Sequence, residues 1–178
     1  VKSRHGAIRG RVGRRVVATP PVKTENPRNG AHADAGTSSV KALSIIKREH
    51  RNLGAVLTCL ELLVRDIDTE GKRPDFRVFH AILTYLDSFL DRYHHPKEDE
   101  HLFPALRRRH PEADTILRRL EAQHEVGLEL GEDVRKALSA YEFVGDEAFP
   151  AFRDTVMKYV SFERDHAYTE EREVLPLA

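Results

Sequence analysis

Several kinds of chemistry are ruled out by what this 178-residue chain lacks. It has one cysteine, Cys59, so no internal disulfide can form. That fits a reducing compartment. It has no tryptophan and few aromatics, and no apolar run reaches the roughly 18–20 residues that cross a bilayer. No signal-peptide core follows the basic start, although Arg14-Arg15 is a bare twin arginine. The formal charge is zero, which argues against nucleic acid as the main partner. No segment carries the alternation of a strand. The chain therefore reads as a soluble, cytoplasmic, all-helical protein with no membrane partner.

The zero charge conceals a division. Residues 1–36 hold eight Lys/Arg against Glu25 and Asp34, a net of +6, so the remainder sums to −6. This opening is rich in Gly, Pro, Arg and Ala and has no apolar period. It cannot bury enough surface to offset its ordering entropy, and it reads as a disordered tail rather than a targeting peptide. Residues 37–178 read as one domain, long enough for a sizeable core. The chain starts on Val, and Val174–Ala178 ends without a polar tail. A fragment cut short at its C-terminus, or an alternative start codon read as Val, would each look this way.

From Thr37 the text turns helical, with Thr37, Ser38 and Ser39 as candidate N-caps. Ile46, His50, Leu53, Leu57, Leu60, Val64 and Ile67 fall on one face, and Gly71 suits the residue just past the helix end. Pro74 suits the first turn of a second helix, striped by Phe79, Leu83, Leu86, Leu90 and His94. Pro96 should kink it near Tyr93-His94-His95 before it continues through Leu102, Phe103 and Leu106. A break at His110-Pro111-Glu112 starts a third helix with Leu117, Leu120, His124, Gly127, Gly131, Val134 and Leu138 on one face. Residues 140–145 read as a loop, and a fourth helix from about Asp146 carries Phe149, Phe152, Val156, Tyr159, His166 and Glu170. Four helices with short connections predict an antiparallel up-down-up-down four-helix bundle.

An internal repeat carries the chemistry. Residues 94–104 read HHPKEDEHLFP and residues 166–176 read HAYTEEREVLP; both fit H-x-x-x-E-[DE]-x-x-[LV]-[LF]-P. The copies stand 72 residues apart, and the lone core histidines His50 and His124 stand 74 apart. Each half thus supplies a lone His and then a His-x-x-x-Glu. Positions i and i+4 share a helix face, so His94 with Glu98, and His166 with Glu170, aim an imidazole and a carboxylate the same way. At about 1.5 Å per residue, counting from each turn returns all six groups to one level within about a helical turn. Unpaired buried carboxylates are costly, and no Lys or Arg occupies the matching stripe positions. Metal is the simplest compensation, since imidazole suits iron, zinc or copper and a carboxylate can bridge two ions.

Other residues have plainer readings. His94 takes precedence over His95, because it has Glu98 at i+4 and His166 as repeat partner, whereas His95 would pair only with Asp99. Asp99 and Glu171 follow the bridging candidates and belong to solvent or to a supporting layer. His80 is packing or surface, His110 marks the turn, His101 is surface or supporting, and Cys59 is a small core residue. Arg107-Arg108-Arg109 sits at a helix C-terminus, where cations are favoured. Gly127 and Gly131 either leave room for an exogenous ligand or allow close helix approach.

With REH in helix one, HHPKEDEHLFP in helix two, EAQH in helix three and DHAYTEEREVLP in helix four, residues 40–178 resemble the hemerythrin-like, HHE cation-binding family. The resemblance implies a non-haem centre of two iron ions, with other divalent metals as alternatives. His50 and His94 would bind one ion, His124 and His166 the other, and Glu98 and Glu170 would bridge them. It further implies a small diatomic ligand or peroxide as partner. Oxygen-carrying hemerythrins have another His four residues after the helix-three His, where this chain has Leu128. That departure favours a sensor, a repair factor or a reactive centre over an oxygen carrier. A ferritin-like pattern would need Glu-x-x-His from two helices and a lone Glu from each of the others, whereas the repeat here supplies a lone His and a His-x-x-x-Glu in each half. Three functions stay open: a binder or sensor of oxygen, nitric oxide or iron; a di-iron enzyme reducing peroxide, oxygen or nitric oxide; and a metal-free helical interaction module.

Overall fold

A computed structural model describes residues 31–178; for residues 31–40 it describes the backbone only. The basic tail expected over residues 1–36 lies, up to residue 30, outside the described residues. The described residues form helices and turns alone: α1 (Ala31–Glu70), α2 (Phe76–Phe89), α3 (His95–Lys97), α4 (Phe103–Arg109), α5 (Asp114–Val144) and α6 (Phe149–Thr169). Helix α1 runs through Thr37, Ser38 and Ser39, so these residues do not cap it.

The rods pack in a ring, α1 on α2, α2 on α5, α5 on α6 and α6 on α1, which is the antiparallel four-helix bundle. Local sequence explains the turns. Gly71 has φ +63°, which lets its N–H and that of Lys72 return to Ile67 O and Asp66 O. Asp75 caps α2 by accepting from Arg77 N–H at 3.1 Å, so Pro74 precedes the cap and does not occupy the first turn. Helix α5 continues to Val144, where residues 140–145 were expected to loop; only Gly145, at φ +90°, separates it from the next turn. Tyr141 accounts for the difference. It is buried and packs against Phe76, Phe149 and Phe152, so the helix is held to its last turn by an aromatic cluster.

Prolines shape the second and fourth rods. Wide π turns occupy Leu90–His94, Glu98–Leu102 and Glu170–Val174. In each, the next residue donates its N–H five residues back: His95 to Leu90 O, Phe103 to Glu98 O and Leu175 to Glu170 O. A proline follows every time, namely Pro96, Pro104 and Pro176. Proline has no N–H and its ring crowds the carbonyl four back, so the preceding turn widens to make room. The kink expected at Pro96 is therefore a π turn, and the repeat's terminal proline produces an equivalent turn in each half.

Two apolar clusters stack along the bundle. The larger includes Leu53, Leu57, Leu60, Phe79, Leu86, Leu138, Phe152 and Val156. The smaller holds Phe103, Leu106, Ala113, Leu117, Leu120 and Val174. On the second, third and fourth rods the switch between clusters falls at a buried polar layer, His94 to Glu98, His124, and His166 to Glu170, and His50 on α1 joins that layer just beyond the larger cluster.

Candidate metal centre

All six groups singled out from sequence meet in that layer, and all are buried. Their donor atoms fall into two overlapping sets, His50, His94, Glu98 and Glu170, and then Glu98, His124, His166 and Glu170; within each set they lie within 4.8 Å of one another. The carboxylates belong to both. Glu98 turns Oε1 toward His94 Nε2 (3.6 Å) and His50 Nε2 (3.9 Å), and Oε2 toward His124 Nε2 (3.7 Å). Glu170 turns Oε2 toward His50 Nε2 (3.1 Å), and Oε1 toward His166 Nε2 (3.5 Å) and His124 Nε2 (3.9 Å). Each carboxylate thus divides its oxygens between the two histidine sets, as a bridging ligand must.

The imidazoles are aimed by their other nitrogens. His50 Nδ1 lies 3.2 Å from Glu171 Oε1, His94 Nδ1 3.0 Å from Glu49 Oε2, His124 Nδ1 3.0 Å from Asp99 Oδ1, and His166 Nδ1 3.1 Å from Gln123 Oε1. Since these partners accept, each Nδ1 carries the proton and each Nε2 presents a lone pair inward. The pattern follows the repeat. The residue before each lone histidine orients the other histidine of its own half, and the residue after each glutamate reaches across to the opposite half. Sequence reasoning placed Asp99 and Glu171 in solvent or a supporting layer, and the structure brings both to histidines. It missed Glu49 and Gln123, although REH and EAQH carry them next to the ligand candidates.

Inside, the atoms have no partners: Nε2 of His50, His124 and His166 and both carboxylate oxygens of Glu98 and Glu170 are buried without a hydrogen bond. Buried polar groups ordinarily find one, so a cluster of lone pairs facing one point fits a cation. Electrostatics agree. Burial pushes Glu98 well above the usual carboxylate range, with the nearby Glu170 adding to the effect. Burial likewise pushes Glu170 up to about 8. Burial, reinforced by neighbouring histidines, lowers His94 to about 4 and His166 to about 3, so both are neutral donors at pH 7. Lys97 does not neutralise the layer, because it pairs with Glu49. Burial opposes ionisation of Glu49, but hydrogen bonds from Lys97 and His94 prevail and hold its pKa low.

The Hemerythrin HHE cation-binding domain model matches residues 41–178. The chain belongs to the hemerythrin HHE family. Searches of the curated proteins and of the solved structures returned no match.

This HHE domain also brings in a histidine ranked below His94. His95 is buried, stacks on His124 with ring centroids 4.0 Å apart, meets His166 edge-on at 5.7 Å, and leaves its Nε2 unpartnered. His95, His124 and His166 form a third donor set. Consecutive residues on an α-helix point about 100° apart, so one is normally turned away. The wide turn before Pro96 admits both His94 and His95. The signal available in the sequence was the HHP triplet itself.

The other residues settle as follows. His80 pairs with Glu142 at the surface, and His110 ends α4 and meets Glu112. His101 is exposed. Cys59 is exposed as well, against the expectation of a core residue: the buried stripe passes through Leu57 and Leu60, and position 59 is about 100° off it. Arg107 braces α4 to α5 through Asp114 and Glu121.

Proposed function

We propose that this chain is a non-haem di-iron protein that binds or senses a small molecule, oxygen or nitric oxide, or iron itself. The observation that carries this is the opposed aim of the two carboxylate oxygens of Glu98 and of Glu170, each pair divided between two histidine sets. His50 and His94 would hold one ion, His124 and His166 the other, and Glu98 and Glu170 would bridge. His95 adds a third imidazole to the second set. Leu128, where an oxygen carrier has its additional histidine, is 40% exposed. His95 can therefore supply from the second rod an imidazole that α5 lacks. Bound iron would supply redox and Lewis-acid chemistry. The chain's own part is to fix the donors, hold His94 and His166 neutral and exclude bulk water.

A cytoplasmic location suits the reading: Cys59 is free, and among the described residues no helix is long and apolar enough to cross a membrane. The test is metal content with an optical spectrum of the purified protein. Two irons per chain, with the absorption of an oxo-bridged ferric pair, support the reading. A full-length folded protein that takes up neither iron nor another divalent metal defeats it. Reversible spectral change on adding nitric oxide identifies a binder, and sustained turnover of peroxide identifies the enzyme alternative.

A further inference from the structure

A line of rings runs from the buried donor layer to the outside of the bundle. His94 stacks on Phe89, with ring centroids 5.5 Å apart and planes 10° from parallel. Phe89 stacks in turn on Tyr85, 5.5 Å away and 6° from parallel. Tyr85 is 40% exposed, whereas His94 is buried. Tyr93 joins the line from the side, its ring 6.4 Å from Phe89 and tilted by 38°. Of the chain's tyrosines, only Tyr85 and Tyr93 connect through ring contacts to a histidine of the centre.

The local sequence builds this line. Tyr85 and Phe89 stand four apart on α2, so one ring lies over the other. His94 is the fifth residue after Phe89. In a regular α-helix that step would point roughly 140° away from the Phe89 face. The π turn Leu90–His94 is wider, and it brings the fifth residue, not the fourth, over the one it started from. The turn before Pro96 therefore does two things: it admits His95 to the cluster and it seats His94 on Phe89.

Rings in contact give an electron a short path without a gap. Within the line only tyrosine gives up an electron readily, provided that its O–H can shed a proton. Tyr85 meets that condition at the surface, where water takes the proton. Tyr93 is more exposed, at 58%, but Lys97 Nζ lies 3.7 Å from its ring centroid. A cation held by the π face makes an electron harder to remove from it. The Tyr93 ring is also set off the stack, which leaves Tyr85 as the better terminus.

We propose that Tyr85 is the electron-entry residue of the centre, passing single electrons from an exterior donor through the Phe89 ring to His94 and the ion it holds. The proposal rests on the di-iron reading. Hydrogen peroxide at the ferric centre becomes two waters by taking two electrons and two protons. Each electron leaves the Tyr85 phenol, whose O–H proton goes to solvent. The neutral phenoxyl radical left behind regains one electron and one proton from a donor of the ascorbate or phenol class. Two donors are each oxidised by one electron for every peroxide reduced.

The test is electron paramagnetic resonance of the full chain, loaded with ferric iron, mixed with hydrogen peroxide and freeze-quenched. Wild type should show a tyrosyl radical, and ascorbate added before quenching should erase it. Tyr85→Phe keeps the ring and its packing but has no phenol. Its signal should be lost with iron content and helical circular dichroism unchanged, while Tyr93→Phe should keep the signal. Three results overturn the proposal and leave the di-iron reading standing: iron-loaded wild type without the radical, a radical undiminished in Tyr85→Phe, or a loss that follows Tyr93→Phe instead. Wild type that takes up no iron ends the di-iron reading, and this proposal with it.

Discussion

Stripping the metal should make this protein unusually sensitive to mild alkali. Glu163 and Glu170 have pKa values raised to about 8 in the fold, chiefly by burial, and Glu98 moves the same way. A carboxyl whose folded pKa is raised gives stability that is complete below its unfolded pKa, near 4.5, and is lost as pH rises toward 8. The buried histidines act oppositely: His94 and His166, lowered to about 4 and 3, cost stability only as pH falls below about 6.5. Between pH 6.5 and 8 only the carboxyls still act. At about 1.4 kcal/mol per pH unit, each loses on the order of 2 kcal/mol across that interval. Glu163 and Glu170 together lose on the order of 4 kcal/mol, a large share of the ~5–15 kcal/mol that holds a domain folded. With a urea slope of about 2 kcal/mol/M, the unfolding midpoint in chelator should fall by roughly 2 M from pH 6.5 to pH 8. Glu163→Gln should recover about half of the fall, and reloading metal, which would hold Glu98 and Glu170 as carboxylates, should remove the other half. A midpoint in chelator that is flat or rises over this interval would refute the reasoning, because the carboxyls would then ionise in the fold without a counter-cation.

Further outcomes follow from the supporting residues. Asp99→Ala removes the acceptor of His124 Nδ1, and isothermal titration should show metal affinity reduced about 10–100-fold at one of two sites with the helical circular dichroism unchanged. Pro96→Ala removes the ring that forces the turn at Leu90–His94. A regular α-helix should then re-form and turn His95 away, and the crystal structure should show its ring off His124, with a measurable change in the optical spectrum of the loaded centre.

The helix count, the antiparallel bundle and the six converging groups were legible because they depend on regular helix geometry. Spacings of 3 and 4 put His50 in line with Leu53 and Leu57, and i, i+4 put His94 over Glu98. What escaped lies where that geometry breaks. A π turn adds a residue without advancing the face, so a stripe counted at 100° per residue chooses between His94 and His95 when the fold takes both. The three prolines were visible, but their effect on the carbonyl four back is a matter of neighbouring turns and not of pattern. Glu49 and Gln123 looked like surface polar residues, because their partners, His94 and His166, come from other rods. Tyr141 extended α5 through long-range aromatic contacts with Phe149 and Phe152, which no local propensity reports. Gly127 could be read as room for a ligand or as close helix approach, and the Glu163 carboxyl and Phe162 ring of α6, 2.7 and 3.5 Å from where a Cβ would stand, show close approach.

The most direct measurement is iron per chain in the purified wild-type protein beside His166→Ala and Glu170→Ala, each paired with its melting temperature with and without chelator. Two irons in wild type, fewer in both variants and a chelator-sensitive melt in wild type alone are the predicted results, since metal binding couples to folding. Two irons retained in either variant would contradict the assignment of these side chains as ligands.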